Sequence, residues 1–210
     1  MGLFDRKKTN YYESQPLYTL GNNQTLLVIG LGNVGSEYSK NRHNVGFMAI
    51  DRYKDSHDFT DWMEKKDLKC HLTTGNVGST RVILAKPTTM MNLSGESVQK
   101  IMQFYKISET DTLVVHDELD IDFGTIRTRV GGGSAGHNGI KSLITHAGAE
   151  FGRIRVGIGP KEPSKIDSAD FVLQDFSDQQ HEKLPKILKE VCALIDERTA
   201  GPLQDATISI

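Results

Sequence analysis

The sequence predicts an α/β fold: a single three-layer α/β/α domain around a mixed, largely parallel sheet. Two observations carry this expectation. Short apolar runs at Leu26–Ile29, Thr112–His116 and Arg153–Gly159 have the length and β-branched content of strands. Between them lie segments whose apolar residues recur at three- and four-residue spacing, and strands alternating with helices close into an α/β sheet. At 210 residues the chain is long enough for one domain that buries roughly 70% of its unfolded surface.

Residues 1–24 are polar and irregular, end in Gly21-Asn22-Asn23, and read as a flexible extension ahead of one domain over 25–210. After the first strand, Val45, Met48, Ala49 and Tyr53 predict a helix over about 44–55. A hairpin follows, Leu68–Thr74 with Thr80–Ala85 across Gly75-Asn76-Val77-Gly78. Ser94 is placed to cap a helix whose Val98, Ile101, Met102 and Tyr105 share one face. The second apolar strand ends at His116, and Asp117-Glu118-Leu119-Asp120 follows at once. Ile126–Val130 alternates, with its arginines on one side. Gly131–Gly139 reads as a mobile loop and Ile140–Ala147 as a helix stopped by Gly148. Ser177-Asp178-Gln179-Gln180 is a capping-box pattern, opening a last helix with the stripe Leu184, Ile187, Leu188, Val191, Ile195.

The net charge of −2 hides an asymmetry: residues 124–165 carry +5. A locally basic face on an acidic body suits phosphates, although a solvated face would look the same in sequence. No apolar run approaches the ~20 residues of a membrane helix. Cys70 and Cys192 are far apart with no CxxC pattern, and the seven histidines show no HxH or HxxxH spacing. A disulfide scaffold, a metal site and a cofactor are therefore not expected, and a reducing cytoplasm is.

Familiar glycine motifs fail on context. Gly30-x-Gly32-x-x-Gly35 would bind a dinucleotide only with an apolar helix directly after it, yet Ser36–Asn44 is polar and Glu37 would face the phosphates. Gly132-x-Ser134-x-Gly136 lacks the buried strand that a nucleophile elbow needs, and Lys141 is misplaced for a phosphate-binding P-loop. Convergence is more informative. Asn33, Met91-Asn92 and Asp117 each follow a predicted strand, at the sheet edge where open α/β folds bind ligands. The segment Gly35–Gly46 can bring His43 among them. A histidine oriented by a carboxylate can take a proton from water, and asparagine amides can donate to an oxyanion. His116 beside Asp117 is an alternative partner, and Asn33 could simply supply a turn.

These residues also form a pattern. Gly30-x-Gly32-Asn33, Gly35-x-x-Tyr38 and Arg42-His43-Asn44-x-Gly46 are followed by Lys86-Pro87-x-Thr89-x-Met91-Asn92-x-Ser94-Gly95. His116-Asp117-Glu118-Leu119-Asp120, Gly131 to Ser142 through His137-Asn138-Gly139-x-Lys141, and Arg153-x-Arg155-x-Gly157 complete it. In this order they resemble bacterial peptidyl-tRNA hydrolase over about residues 26–200. The resemblance implies hydrolysis of the ester between a peptide and the terminal ribose of tRNA, by a monomer. It implies His43 as general base, Asp117 as its orienting carboxylate, and Asn33 and Asn92 on the substrate, one of them at the oxyanion. Tyr38, Met91 and Asn138 would contact the peptide and acceptor end; His137, Arg129, Lys141 and Arg155 would take acceptor phosphates. A non-catalytic RNA-binding relative is the other reading, and joint retention of Asn33, His43, Asn92 and Asp117 favours the enzyme. Val34 stands where the family usually has proline, and residues 201–210 lack the basic tail of many relatives.

Overall fold

The computed structural model describes residues 24–210, so the extension expected over 1–24 falls, but for Gln24, outside the described residues. The strands are β1 Thr25–Gly30, β2 Met63–Lys65, β3 Cys70–Val77, β4 Thr80–Pro87, β5 Thr112–Asp122, β6 Thr125–Val130, β7 Gly152–Gly159 and β8 Ala206–Ser209. The helices are α1 Val45–Ser56, α2 Ser94–Tyr105, α3 Asn138–Ala147, α4 Ser168–Val172 and α5 Asp178–Ala200. One sheet holds all eight strands in the order β2-β3-β4-β1-β5-β7-β6-β8. The four central strands pair in parallel, β3 and β6 run against them, and the outer β2 and β8 return to the common direction.

Alternation along the strands builds the three layers. Leu26, Val28, Leu113 and Val115 face Ala49, Ile50 and Tyr53 of α1 and Ile187, Val191 and Ile195 of α5. Leu27, Ile29 and Val114 face the other way, onto Val98 and Ile101 of α2 and Ile140 and Leu143 of α3. The glycines at the end of β1 answer a close approach. A Cβ on Gly30 would lie 2.5 Å from the Gly46 carbonyl oxygen, and one on Gly46 would lie 2.4 Å from that of Val115. Backbone therefore packs on backbone where α1 begins, and no side chain fits.

Several elements differ from expectation for local reasons. β5 runs on through Asp122, so Asp117 lies inside the strand and not past its end. Its charge is satisfied by tertiary partners that sequence periodicity does not reveal. Because Val115 is level with Gly30, the last residue of β1, Asp117 nevertheless stands beyond the edge of that neighbour. The hairpin turns more tightly than expected, at Gly78-Ser79, since Val77 pairs with Thr80. Ser94 is not a cap: a short 3-10 turn, Met91–Leu93, precedes α2, and the free Gly95 N–H is taken by Ser142 Oγ of α3 at 3.0 Å. The capping box of α5 is present in both directions. α4 and the edge strands β2 and β8 carry too few apolar residues to be read from pattern.

Candidate active site

At the carboxyl edge of β1 and β4, the far part of β5 and the segments after β1, β4, β6 and β7 line a cleft of about 710 Å³. His43 enters from the 3-10 turn Arg42–Asn44, at the head of α1. Its Nδ1 lies 2.8 Å from Asp117 Oδ1, and both side chains are buried. A carboxylate only accepts, so Nδ1 carries the proton and Nε2 keeps its lone pair. Burial works against a charged ring here, but the charge and hydrogen bond of Asp117 outweigh it, and His43 titrates above the ordinary histidine value. Burial alone would raise the Asp117 carboxyl; the imidazoles of His43 and His137 reverse this and hold it well below the usual carboxylate range.

His137, expected on acceptor phosphates, lines the cleft. Its Nε2 is 3.0 Å from Asp117 Oδ1, while its Nδ1 accepts the Ile140 N–H at 3.2 Å as the cap of α3. Its side chain is only 6% exposed and points at Asp117. The glycine-rich loop gives way to helix at Asn138, two residues earlier than expected, because this cap holds the first turn. His116 is not the histidine on the Asp117 carboxylate: its Nδ1 donates to the Asp117 carbonyl oxygen. Burial first, then the neighbouring His137, push His116 well below the ordinary histidine value, so the ring is neutral.

Asn33 is fixed by three hydrogen bonds. Its backbone N–H donates to Asn44 Oδ1 and its carbonyl accepts from Asn44 Nδ2, each at 2.9 Å. Its Oδ1 accepts the Met91 N–H at 2.9 Å, which leaves Nδ2 as the free end toward the cleft. Met91, Asn92 and Asn138 also line the cleft, Met91 buried and the two asparagines exposed. Tyr38 is half-buried on the Ser36–Tyr38 turn and is not part of the cleft lining.

A second, shallower hollow of about 340 Å³ lies where β6, β7 and β8 meet, lined by Arg127, Arg129 and Arg155 with Asp205. Register explains the cluster: Arg127 is opposite Arg155 and Arg129 opposite Arg153, so all four share one face. Arg153 is spent internally. It is buried, and its guanidinium donates to the Gly132 and Gly133 carbonyls at 2.6 Å each, tying the base of the glycine-rich loop. Lys141 is exposed on α3 and lines neither hollow.

Sequence reasoning missed Asn44 as the clamp on Asn33, although it lay within the Arg42-His43-Asn44 triplet. It also missed the wall formed by α4 and its flanks, Asp167, Ser168, Val172 and Leu173. Arg42 anchors that wall to the His43 turn: its guanidinium stacks over Phe171 at 4.4 Å and donates to Gln180 Oε1 at 3.1 Å. Nothing in the spacing of 160–176 announces this.

A buried carboxylate–imidazole pair at the edge of a parallel sheet, flanked by amides, is a site for acid–base chemistry on a polar bond. Among the described residues no hydroxyl or thiol is hydrogen-bonded to His43. The family model for peptidyl-tRNA hydrolase matches residues 27–209. A peptidyl-tRNA hydrolase of Ruegeria pomeroyi is 44% identical over 176 residues, covering 83% of this chain and 72% of the relative. One from Sorangium cellulosum is 45% identical over 183 residues, covering 86% and 81%. The crystal structure of peptidyl-tRNA hydrolase from Acinetobacter baumannii superposes with a TM-score of 0.76 at 35% identity, covering 85% of this chain and 92% of that one. The chain belongs to the peptidyl-tRNA hydrolase family.

Proposed function

We propose that the protein hydrolyses the ester linking a peptide, or another N-blocked aminoacyl group, to the terminal ribose of tRNA. The observation that carries this is the His43–Asp117 pair, 2.8 Å apart, opening on a cleft that also presents Asn33, Asn92 and Asn138. His43 Nε2 takes a proton from water as the oxygen attacks the ester carbonyl carbon. Asp117 holds the ring in the required tautomer and stabilises the imidazolium. Asn33 and Asn92 donate to the substrate, one of them to the developing oxyanion. Collapse of the tetrahedral intermediate expels the ribose oxygen, which takes the proton back from His43, leaving a free peptide acid and a free tRNA.

Met91 packs against the peptide, and Asn138 contacts the junction of peptide and acceptor end. Arg129 and Arg155, with Arg127 beside them, take acceptor phosphates, and Lys141 extends that contact from α3. Tyr38 would reach substrate only outside the cleft. No described helix is long and apolar enough to cross a membrane. We place the protein in the cytoplasm as a monomer, which size-exclusion chromatography would test.

The deciding experiment is release of tRNA from an N-blocked aminoacyl-tRNA by the wild type and by His43→Ala. Loss of release in the variant is expected. Equal release by both would remove His43 as base, and tight tRNA binding with no turnover in the wild type would make the protein a binder.

A further inference from the structure

We infer that His137 is a positioning residue for this hydrolysis: by sharing one oxygen of Asp117 with His43, it limits how strongly that carboxylate stabilises the His43 imidazolium. The inference rests on the reaction proposed above and stands on the geometry of the three rings.

The tautomer of His137 is fixed by what it touches. The Ile140 N–H can only donate, so His137 Nδ1 accepts, and the ring proton of the neutral form must be on Nε2. That proton points at Asp117 Oδ1, 3.0 Å away. His43 Nδ1–H points at the same oxygen from 2.8 Å. The two rings stand 5.0 Å apart, and the edge-to-face contact of His137 with His116, at 4.9 Å and 77°, closes another side. His116 is itself fixed, donating to the Asp117 carbonyl at 2.6 Å. Oδ1 thus serves two donors.

A helix cap alone would not require this arrangement, since asparagine or serine caps as well without touching Asp117. The second donor divides the charge of the carboxylate. Without it, more of that charge would stabilise the His43 imidazolium, and the base would stay protonated to higher pH. The other titratable and charged groups near the trio are His116 and Glu118 on β5, Arg153 and Arg155 on β7, and Asp120 and Asp167 along the cleft. None of the hydrogen bonds to Asp117 Oδ1 comes from these groups.

The test compares wild type with His137→Asn and His137→Ala. Asparagine keeps a cap acceptor for α3 but is too short to replace the bond to Asp117; alanine loses both. Two readouts are used: the 15N NMR titration of His43, which needs no turnover, and the pH profile of kcat/KM on an N-blocked aminoacyl-tRNA. In both variants the His43 titration and the acid limb of the profile are expected to move up by about one pH unit. That is roughly a tenfold loss at pH 6, shrinking to little by pH 8.5. Only His137→Ala should also lose melting temperature. An unmoved His43 titration, or activity lowered evenly at every pH, would overturn the inference and leave His137 as a cap. A higher KM with a flatter salt dependence and an unmoved limb would overturn it in favour of a phosphate contact. If the wild type releases no tRNA, the proposed reaction fails while the NMR titration still decides the role of His137.

Discussion

Asn44→Ala tests how much of the site depends on a residue that need not touch substrate. Its side chain makes two buried hydrogen bonds of 2.9 Å with the backbone of Asn33, one in each direction. Asn33 is 5% exposed, so the variant strands one backbone donor and one acceptor away from bulk water. Each stranded group costs about 1–3 kcal/mol, and water entering the space left by the side chain would recover part of this. The expected loss is about 2–4 kcal/mol, or roughly 4–16 °C in melting temperature for a chain of this size. Catalysis should suffer separately. A shift of Asn33 on the order of 1 Å would also strain its bond to the Met91 N–H, and misplacement on that scale costs about 10²-fold in rate. Urea unfolding gives the first quantity and single-turnover hydrolysis under folded conditions the second. Stability within about 0.5 kcal/mol of wild type together with an unchanged rate would refute the clamp.

Asp117→Asn should lower kcat by on the order of 10³–10⁴ with a smaller change in KM, because the wrong tautomer of His43 is then available. The charge that raises His43 is also removed, so any remaining acid limb should move to lower pH; an enzyme of normal kcat would exclude the orienting role. Arg129→Ala is expected to raise KM for tRNA substrates, leave kcat nearly intact and reduce the salt slope by about one, and an unchanged slope would exclude a phosphate contact. His116 is neutral in the fold but takes a proton near pH 6.5 when unfolded. Its contribution is therefore present above pH 6.5 and declines as pH falls, by at most about 1.4 kcal/mol per unit. His116→Asn, which can keep the bond to the Asp117 carbonyl, should flatten urea stability between pH 6.5 and 5; an equally steep decline would assign it elsewhere.

The central parallel strands and four of the five helices were legible because their apolar residues repeat with the period of the element. The run Leu26–Ile29 buries both faces, and Val45, Ala49 and Tyr53 fall on one helical stripe, so solvent exclusion writes itself into the sequence. β2, β8 and α4 were not legible, since short elements at the edge of a fold draw their order from neighbours. The end of β5 misled for a sharper reason. An acidic tetrapeptide reads as loop until one knows that His43 arrives from seventy-four residues away to meet Asp117.

The site was legible as a set of residues and less so as a set of roles. His43, Asp117, Asn33, Met91, Asn92 and Asn138 do line one cleft. His137 was assigned to the acceptor phosphates only because the family resemblance implied it. Only the cap at Ile140 and the distance to Asp117 turn it inward. Asn44 was passed over because a clamp on a neighbour's backbone has no spacing rule.

The two hollows differ in charge, and under the proposed function the difference makes a last prediction. Asp117, Glu118, Asp120 and Asp167 line the cleft, whereas Arg127, Arg129 and Arg155 line the hollow beside β8. Under the proposed function the second would hold the phosphates while the ester lies in the first, at His43. Salt should then act on only one half of the substrate. For N-blocked aminoacyl-tRNA, log(kcat/KM) should fall steeply with log salt, by roughly 0.7–0.9 per phosphate engaged. For the same aminoacyl ester carried on a lone adenosine, which has no phosphate to lose, the slope should be near zero even though kcat/KM is far lower. Equal salt slopes for the two substrates would place the arginines at the reacting ester, and the proposed separation of binding from chemistry would be wrong.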